Sequence, residues 1–242
     1  MRGNTLWVLA HPDAGSLSGR LRDAGVAALR ENGWDVAESD LYRMRWDPLL
    51  RAGDADAPER VEEVRAEQRK LLAADLVVLQ FPLWWYGMPA ILKGWVDRVF
   101  ESGFAYHVPD PETGRMLKYG RGGLEGRRAL VVVTAGDRAG SLTPRGISGS
   151  IDDVLWPLLH GTLWYTGMQP LRPHLVAEAD SVDATRANRL ERCLADRLAR
   201  IDGEEPIDYL PLDDEFYDHS IRLHDDVSPG LEGIAAHRRC GV

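Results

Sequence analysis

The chain has 242 residues, 44% of them hydrophobic, and a formal net charge of −9 with a pI near 5.3. That length accommodates one α/β domain or one and a half, with a sizeable core, and the acidic balance disfavours nucleic acid and anionic membrane surfaces while leaving room for a local phosphate pocket. The two cysteines, Cys193 in a predicted helix and Cys240 near the end, suggest neither a disulfide framework nor a metal site and fit a reducing cytoplasm.

Thr5 to Ala10 reads as the first strand, and the opening MRGNTLWVLAHP has no long apolar core or small-residue cleavage site, so no signal peptide is expected. The loop His11 to Ser18 runs into an amphipathic helix that ends near Asn32 and Gly33. A helix start offers free N–H groups and a positive dipole end, and Ser16 and Ser18 add hydroxyls, so HPDAGSLS is suited to cradling a phosphate. Serine before a helix is also an ordinary N-cap. The second strand, Asp35 to Ser39, ends beside Glu38 and Asp40, which raises a dinucleotide-binding alternative with an acid on the ribose. That alternative lacks its G-x-G-x-x-G after the first strand, and no G-x-x-x-x-G-K-[ST] loop is present either. Asp47 to Glu59 is polar and punctuated by proline and glycine, and Glu59 to Ala73 reads as a charged surface helix.

The stretch Asp75 to Tyr106 organises the rest. Leu76 to Leu79 is an apolar run with two valines, the pattern of a strand buried on both faces of a parallel sheet, and it stops at Pro82. Leu83, Trp84, Trp85, Tyr86 and Gly87 follow, and Pro89 opens a helix to Phe100. Two prolines, Gly87 and Gln80 argue against a membrane span over Leu76 to Leu92. In an open parallel sheet ligands sit outside the carboxyl ends of the strands, so the three aromatic residues lie where a flat ligand would be; core or interface packing is the competing use.

His107 to Gly126 is a loop containing Pro109 and Pro111. Arg128 to Thr134 is the fourth strand, followed by Thr134, Ala135, Gly136 and Asp137, small residues that let backbone N–H groups approach a ring edge. Ile151 to Gly161 reads as a helix that Trp156-Pro157 should kink or stop, and Met168 to Val176 as a fifth strand whose prolines favour an edge. Trp156, Trp164 and Tyr165 suit either a subunit interface or core packing. Asp183 to Ile201 is a final amphipathic helix, and from Gly203 the chain turns polar and irregular, with Pro206, Pro211 and Pro229.

The run FPLWWYGMPAILKGWVDRVF, followed by GFAY, resembles the signature of the NAD(P)H:quinone oxidoreductases, the DT-diaphorase family of flavodoxin-like flavoproteins. The likeness extends to AHPDAGSLSG, MRWDPLL, AEQRKLLAADLVVLQFP, VVVTAG and GISGSIDDVLWPLLHGTLWYTGMQPL, and so covers most of the chain. It implies a doubly wound α/β fold with a five-stranded parallel sheet in the order 2-1-3-4-5 over residues 1–202. Residues 203–242 are then a small extension packing on a homodimer partner.

The resemblance also implies a cytoplasmic oxidoreductase with bound FAD, reduced by NADH or NADPH and reoxidised by a quinone-like acceptor. A trimmed segment before Glu59 keeps FMN open, whereas the long tail favours FAD. His11, Ser16, Leu17 and Ser18 are assigned to the flavin phosphate, Pro82 to Tyr86 to the ring face, Thr134 to Asp137 to the ring edge, and Arg186 to the outer phosphate. Trp85, Tyr106 and Tyr165 are assigned to the substrate pocket, with Tyr86 and Tyr106 as catalytic side chains and Tyr165 reaching the partner's flavin. Trp84 departs from the mammalian pattern and matches bacterial relatives, and Val108 stands where a second flap tyrosine is expected. Leu142 and Ser148 stand where mammalian relatives carry a tyrosine and a histidine that relay charge, so Arg138 or Arg145 is the expected substitute. A flavin-binding subunit of a potassium efflux system, and an azo- or nitro-reductase, are the alternative readings. No membrane insertion, nucleic acid or metal is expected.

Overall fold

A computed structural model describes residues 2–54 and 57–239, so Cys240 lies outside the described residues. In chain order the elements are β1 (Gly3–Leu9), α1 (Leu17–Glu31), β2 (Trp34–Asp40), α2 (Pro58–Ala73), β3 (Leu76–Pro82) and α3 (Ala90–Val99). They continue with β4 (Val108–Pro109), β5 (Met116–Leu117), β6 (Arg128–Thr134), α4 (Ile151–Val154), α5 (Trp156–Leu158), β7 (Gln169–Pro170), β8 (His174–Val176) and α6 (Ala184–Leu198).

The main sheet runs β2-β1-β3-β6, with β7 and β8 both paired to the outer edge of β6 and every pairing parallel. This is the flavodoxin-like 2-1-3-4-5 arrangement, with the fifth position filled by two short pieces. Pro170 and Pro173 explain the split, since proline cannot donate to a ladder and is tolerated on an edge. β3 is buried along its whole length and β6 is buried from Ala129 onward, which is why both read as unbroken apolar runs.

Alternate side chains of the strands feed two cores. Trp7, Leu9, Val78 and Val132 pack with Leu21 and Leu29 of α1 and Leu194 and Leu198 of α6. Val8, Leu79, Phe81 and Val133 pack on the other face with Leu71 of α2, Trp95 of α3 and the segment Leu155–Leu163. Each helix covers the sheet with its apolar stripe, and α6 is capped by Asp183, whose Oδ1 accepts from the Arg186 N–H at 2.7 Å.

The helix expected over Ile151 to Gly161 is broken. It stops at Leu155, makes one turn around Trp156-Pro157-Leu158, and widens into a π-helical turn over Leu159–Trp164. The proline ring removes one backbone donor here, and the chain finds other partners in the wider turn. The loop after α3 contains a small antiparallel hairpin, β4 with β5. Residues 203–239 run over the rest of their own chain: Ile207 N–H donates to Pro170 O at 2.8 Å, Leu212 N–H donates to Tyr119 O at 3.1 Å, and Tyr209 joins the core at 2% exposure.

Candidate functional site

The carboxyl ends of β1, β3 and β6 are level with one another, because the register pairs Leu9 with Gln80 and Pro82 with Thr134. The three loops that leave them therefore open onto one crevice, and a cavity of about 620 Å³ lies there. Its size falls within the range of small-molecule sites.

The first wall is the loop before α1. Ser16 caps the helix, its Oγ accepting from the Gly19 N–H at 3.3 Å and donating to Asp13 O at 2.6 Å. Helix geometry leaves the N–H groups of Leu17 and Ser18 without intrahelical acceptors, and both residues line the cavity. The Asp13 N–H points at His11 Nδ1 from 3.1 Å. His11 Nδ1 also lies 3.0 Å from Asp13 O and 3.0 Å from Ser16 Oγ, so the ring is held tightly against this loop. Gly19 is required by contact: a Cβ there would sit 1.9 Å from Ala14 O.

Gln80 fixes this loop to the sheet. It is fully buried, its Oε1 accepts from Trp7 Nε1 at 2.9 Å, and its Nε2 donates to Ser18 O at 2.7 Å. Ser18 Oγ reaches Thr134 Oγ1 at 3.3 Å, tying the helix start to the end of β6. Read from sequence, Gln80 only interrupts an apolar run; in the structure it holds the turn before α1 in place.

The second wall is the turn Trp84–Gly87. Pro82, Leu83, Trp84 and Trp85 line the cavity. Gly87 N–H donates to Trp84 O at 3.1 Å, and the two central residues are left-handed, with φ of 52° at Trp85 and 58° at Tyr86. Bulky residues rarely adopt that conformation, which costs roughly 1–2 kcal/mol each. The result is that Trp85 stands 98% exposed at the mouth of the crevice. A bond from Leu83 N–H to Thr134 O at 2.7 Å anchors the turn at its root, and Tyr86 Oη meets Asp137 Oδ1 at 3.2 Å and Ser148 Oγ at 3.0 Å at its tip.

The third wall is the loop after β6. Thr134 and Gly136 line the cavity; Ala135 is buried behind them, and Asp137 faces Tyr86 instead. A fourth segment, missed from sequence, completes the lining: Ala179 and Asp180, beyond β8. The Asp180 carboxylate lies over Gly136, 2.3 Å from where a Cβ would be. The rule that ligands sit beyond strand ends applies equally to β8 and would have pointed to this loop.

The remaining expected residues stand apart from the cavity lining. Tyr86 lines a neighbouring cleft with Ile147, Ser148 and Val154. Arg138 and Arg145 are exposed, and neither side chain has a partner among the described residues. Arg186 is half-buried, donating to Ala177 O at 2.9 Å and pairing with Glu178 at 3.1 Å. Tyr106 lies against His107 in the flap, and Tyr165 meets Tyr119 edge-on. Cavity lining from charged groups is sparse: Asp180 is acidic, His11 is the one imidazole, and no lysine or arginine belongs to it. The lining offers an anion amides, hydroxyls and a helix N-terminus in place of cationic side chains. Among the described residues no group of three or more His, Cys, Asp or Glu is placed to hold a metal ion, and no helix is long and apolar enough to cross a membrane.

Comparison with known proteins extends these findings. A family model described as flavodoxin-like fold matches residues 3–200. The chain is 38% identical to a ribosyldihydronicotinamide dehydrogenase-like protein of Penicillium crustosum, over 98% of this chain and 96% of that one. It is 33% identical to NAD(P)H dehydrogenase [quinone] 1 of Rattus norvegicus, over 85% of this chain and 80% of that one. A crystal structure from Klebsiella pneumoniae, put forward as a quinone reductase, superposes with a TM-score of 0.91 at 38% identity, covering 98% of this chain and 99% of that chain.

Proposed function

The chain belongs to the NAD(P)H:quinone oxidoreductase family of flavodoxin-like proteins, and from that premise we propose that it carries two electrons from NAD(P)H to a quinone or similar flat acceptor in a ping-pong course through a bound flavin. The observation that carries this reading is the convergence of three strand-end loops on one cavity, lined both by free helix-start amides and by aromatic rings. The residues fit such a group. Leu17 and Ser18 offer N–H groups without intrahelical acceptors, Gly19 lets the loop pack closely on the Ala14 backbone so that these amides border the cavity, and Trp84 and Trp85 give it an aromatic wall.

The flavin, when bound, supplies the two-electron redox chemistry itself. The chain's own residues hold and orient it: His11, Ser16, Leu17 and Ser18 at the phosphate, Pro82 to Tyr86 against the ring, and Thr134 to Asp137 along its edge. Trp85, Tyr106 and Tyr165 shape the place where nicotinamide and acceptor alternate, which makes proximity and stacking the main contributions of the protein. We read the cofactor as FAD, with Arg186 released from Glu178 to meet the outer phosphate, and the working form as a cytoplasmic homodimer. In it the outer face of residues 203–242 covers the partner, whose crevice receives Tyr165.

The charge pattern sets two expectations. Asp180 places a carboxylate on a cavity that holds a phosphate, so Asp180→Asn should tighten flavin binding severalfold, measured by quenching of flavin fluorescence on titration. Arg138 and Arg145 raise the potential near the ring edge from exposed positions where salt screens them, so alanine at either should slow flavin reduction by about two- to threefold at low salt and less at high salt. Stopped-flow absorbance at two ionic strengths reads both.

The reading as a whole is tested by anaerobic titration of the purified, flavin-loaded protein with NADPH and with NADH, followed by menadione. A flavin band that bleaches in one two-electron step and returns with menadione is the expected result. A protein that takes up no flavin overturns it, and one that binds flavin without reduction has a binding role instead.

A further inference from the structure

Reduction of a quinone by NAD(P)H needs one proton more than the nicotinamide brings. The nicotinamide C–H bond breaks with both electrons and its hydrogen, while the quinone's two carbonyl oxygens end as two O–H groups, so the second hydrogen comes from water through the protein. The loop that would be expected to handle it carries Leu142, buried and apolar, and Ser148.

Three polar groups nevertheless meet at this place, drawn from two loops. The Tyr86 hydroxyl, at the tip of the left-handed turn, donates to Asp137 Oδ1 at 3.2 Å and shares a hydrogen with Ser148 Oγ at 3.0 Å. Tyr86 and Ser148 line a cleft of about 440 Å³ together with Ile147 and Val154, and Asp137 reaches the phenol hydroxyl from outside that lining. Ile147 is 98% exposed and gives that cleft an apolar wall. The other charged groups nearby are Arg138 and Arg145, on the same loop and without side-chain partners among the described residues, and the Asp180 carboxylate over Gly136.

We propose that Tyr86 is the proton-passing residue of this site, with Asp137 as the titratable group that recharges it and Ser148 as the hydroxyl that positions it. This rests on the flavin-dependent reading above. Asp137 takes a proton from solvent; Tyr86 gives its hydroxyl proton to the reacting partner in the cleft and receives the one held by Asp137, which returns to the carboxylate. A hydroxyl between a carboxyl group and a second hydroxyl can pass a proton either way by reversing the hydrogen bonds, and the geometry requires no movement of the backbone. A carboxylate at this edge also favours uptake of the second proton when the site is reduced, because a nearby negative charge raises proton affinity.

The test uses flavin-loaded wild type, Tyr86→Phe, Asp137→Asn and Ser148→Ala, each checked for flavin content. Spectroelectrochemical titration from pH 6 to pH 9 should show two protons taken up per two electrons in the wild type at neutral pH. In Asp137→Asn the change to one proton should come at least about one pH unit lower. Tyr86→Phe should keep its flavin, lose the solvent deuterium isotope effect on menadione turnover, and fall in kcat by about 10- to 100-fold, with Ser148→Ala between it and wild type. An unchanged rate and isotope effect in Tyr86→Phe, or an unchanged proton stoichiometry in Asp137→Asn, overturns the proposal alone. A wild-type chain that takes up no flavin overturns it together with the reading on which it rests.

Discussion

Alanine at Gly19 is expected to cost the protein its cofactor, lowering flavin affinity about 100-fold, or roughly 2.8 kcal/mol. The added Cβ would lie 1.9 Å from Ala14 O and 2.7 Å from Ala14 C, both backbone atoms. The loop would have to retreat by more than about 1 Å to restore van der Waals contact. That retreat moves His11 and Ser16, which are bonded to each other at 3.0 Å and to Asp13, away from the amides of Leu17 and Ser18. Alanine is the better helix former by about 1 kcal/mol, so the thermal stability of the unliganded protein should fall far less than the affinity. Fluorescence quenching with FMN and FAD measures the first quantity and thermal unfolding the second. Gly15→Ala is the control, because its Cβ meets only the Asp13 carboxylate, at 3.3 Å. Equal flavin affinities in the two variants would show that the loop is not held by this contact.

The second large effect is expected at Gln80. Replacing it with methionine keeps the volume and removes both of its hydrogen bonds, leaving Trp7 Nε1 and Ser18 O buried without partners. Each orphaned group costs about 1–3 kcal/mol, so the variant should lose roughly 2–5 kcal/mol of stability, a large share of what a domain has. Urea unfolding should show a lower midpoint with an unchanged slope. In a double-mutant cycle Trp7→Phe should recover part of the loss, since it removes the stranded indole N–H together with its need for a partner. Strictly additive losses would mean that the two side chains are not coupled.

Gln80 also marks where sequence reading reaches its limit. The buried strands declared themselves because parallel strands covered on both faces are apolar throughout, and β3 and β6 fit that rule. The crevice declared itself because ligand sites follow strand ends, so the loops carrying His11 to Ser18, Pro82 to Tyr86 and Thr134 to Asp137 were found in order along the chain. Long-range partnerships left no local signal. Gln80 contacts Trp7 and Ser18 from 73 and 62 residues away, and Tyr86 contacts Asp137 and Ser148 from 51 and 62 residues away. Short elements were equally silent: two-residue strands such as β4, β5 and β7 have no periodicity to detect, and the π-helical turn after Pro157 follows from a lost donor whose new partners lie outside any local pattern. Asp180 follows the last strand, which ends at Val176 as its sequence predicts, and the strand-end rule reaches it only when that edge strand is counted with the central ones.

The broken strand on the outer edge of β6 has a bearing on the protein's life at high concentration. A sheet edge is a template on which a second chain can add itself, and repeated addition leads to fibres. On one side of this sheet the edge is cut into pieces of two and three residues, with Pro170 and Pro173 removing donors. On the other, β2 exposes Asp35 and Glu38, and Arg22 and Arg30 clasp the latter. Both borders thus resist strand addition, one by its short proline-bearing pieces and the other by its charges, so growth of an open-ended fibre from the native sheet is disfavoured.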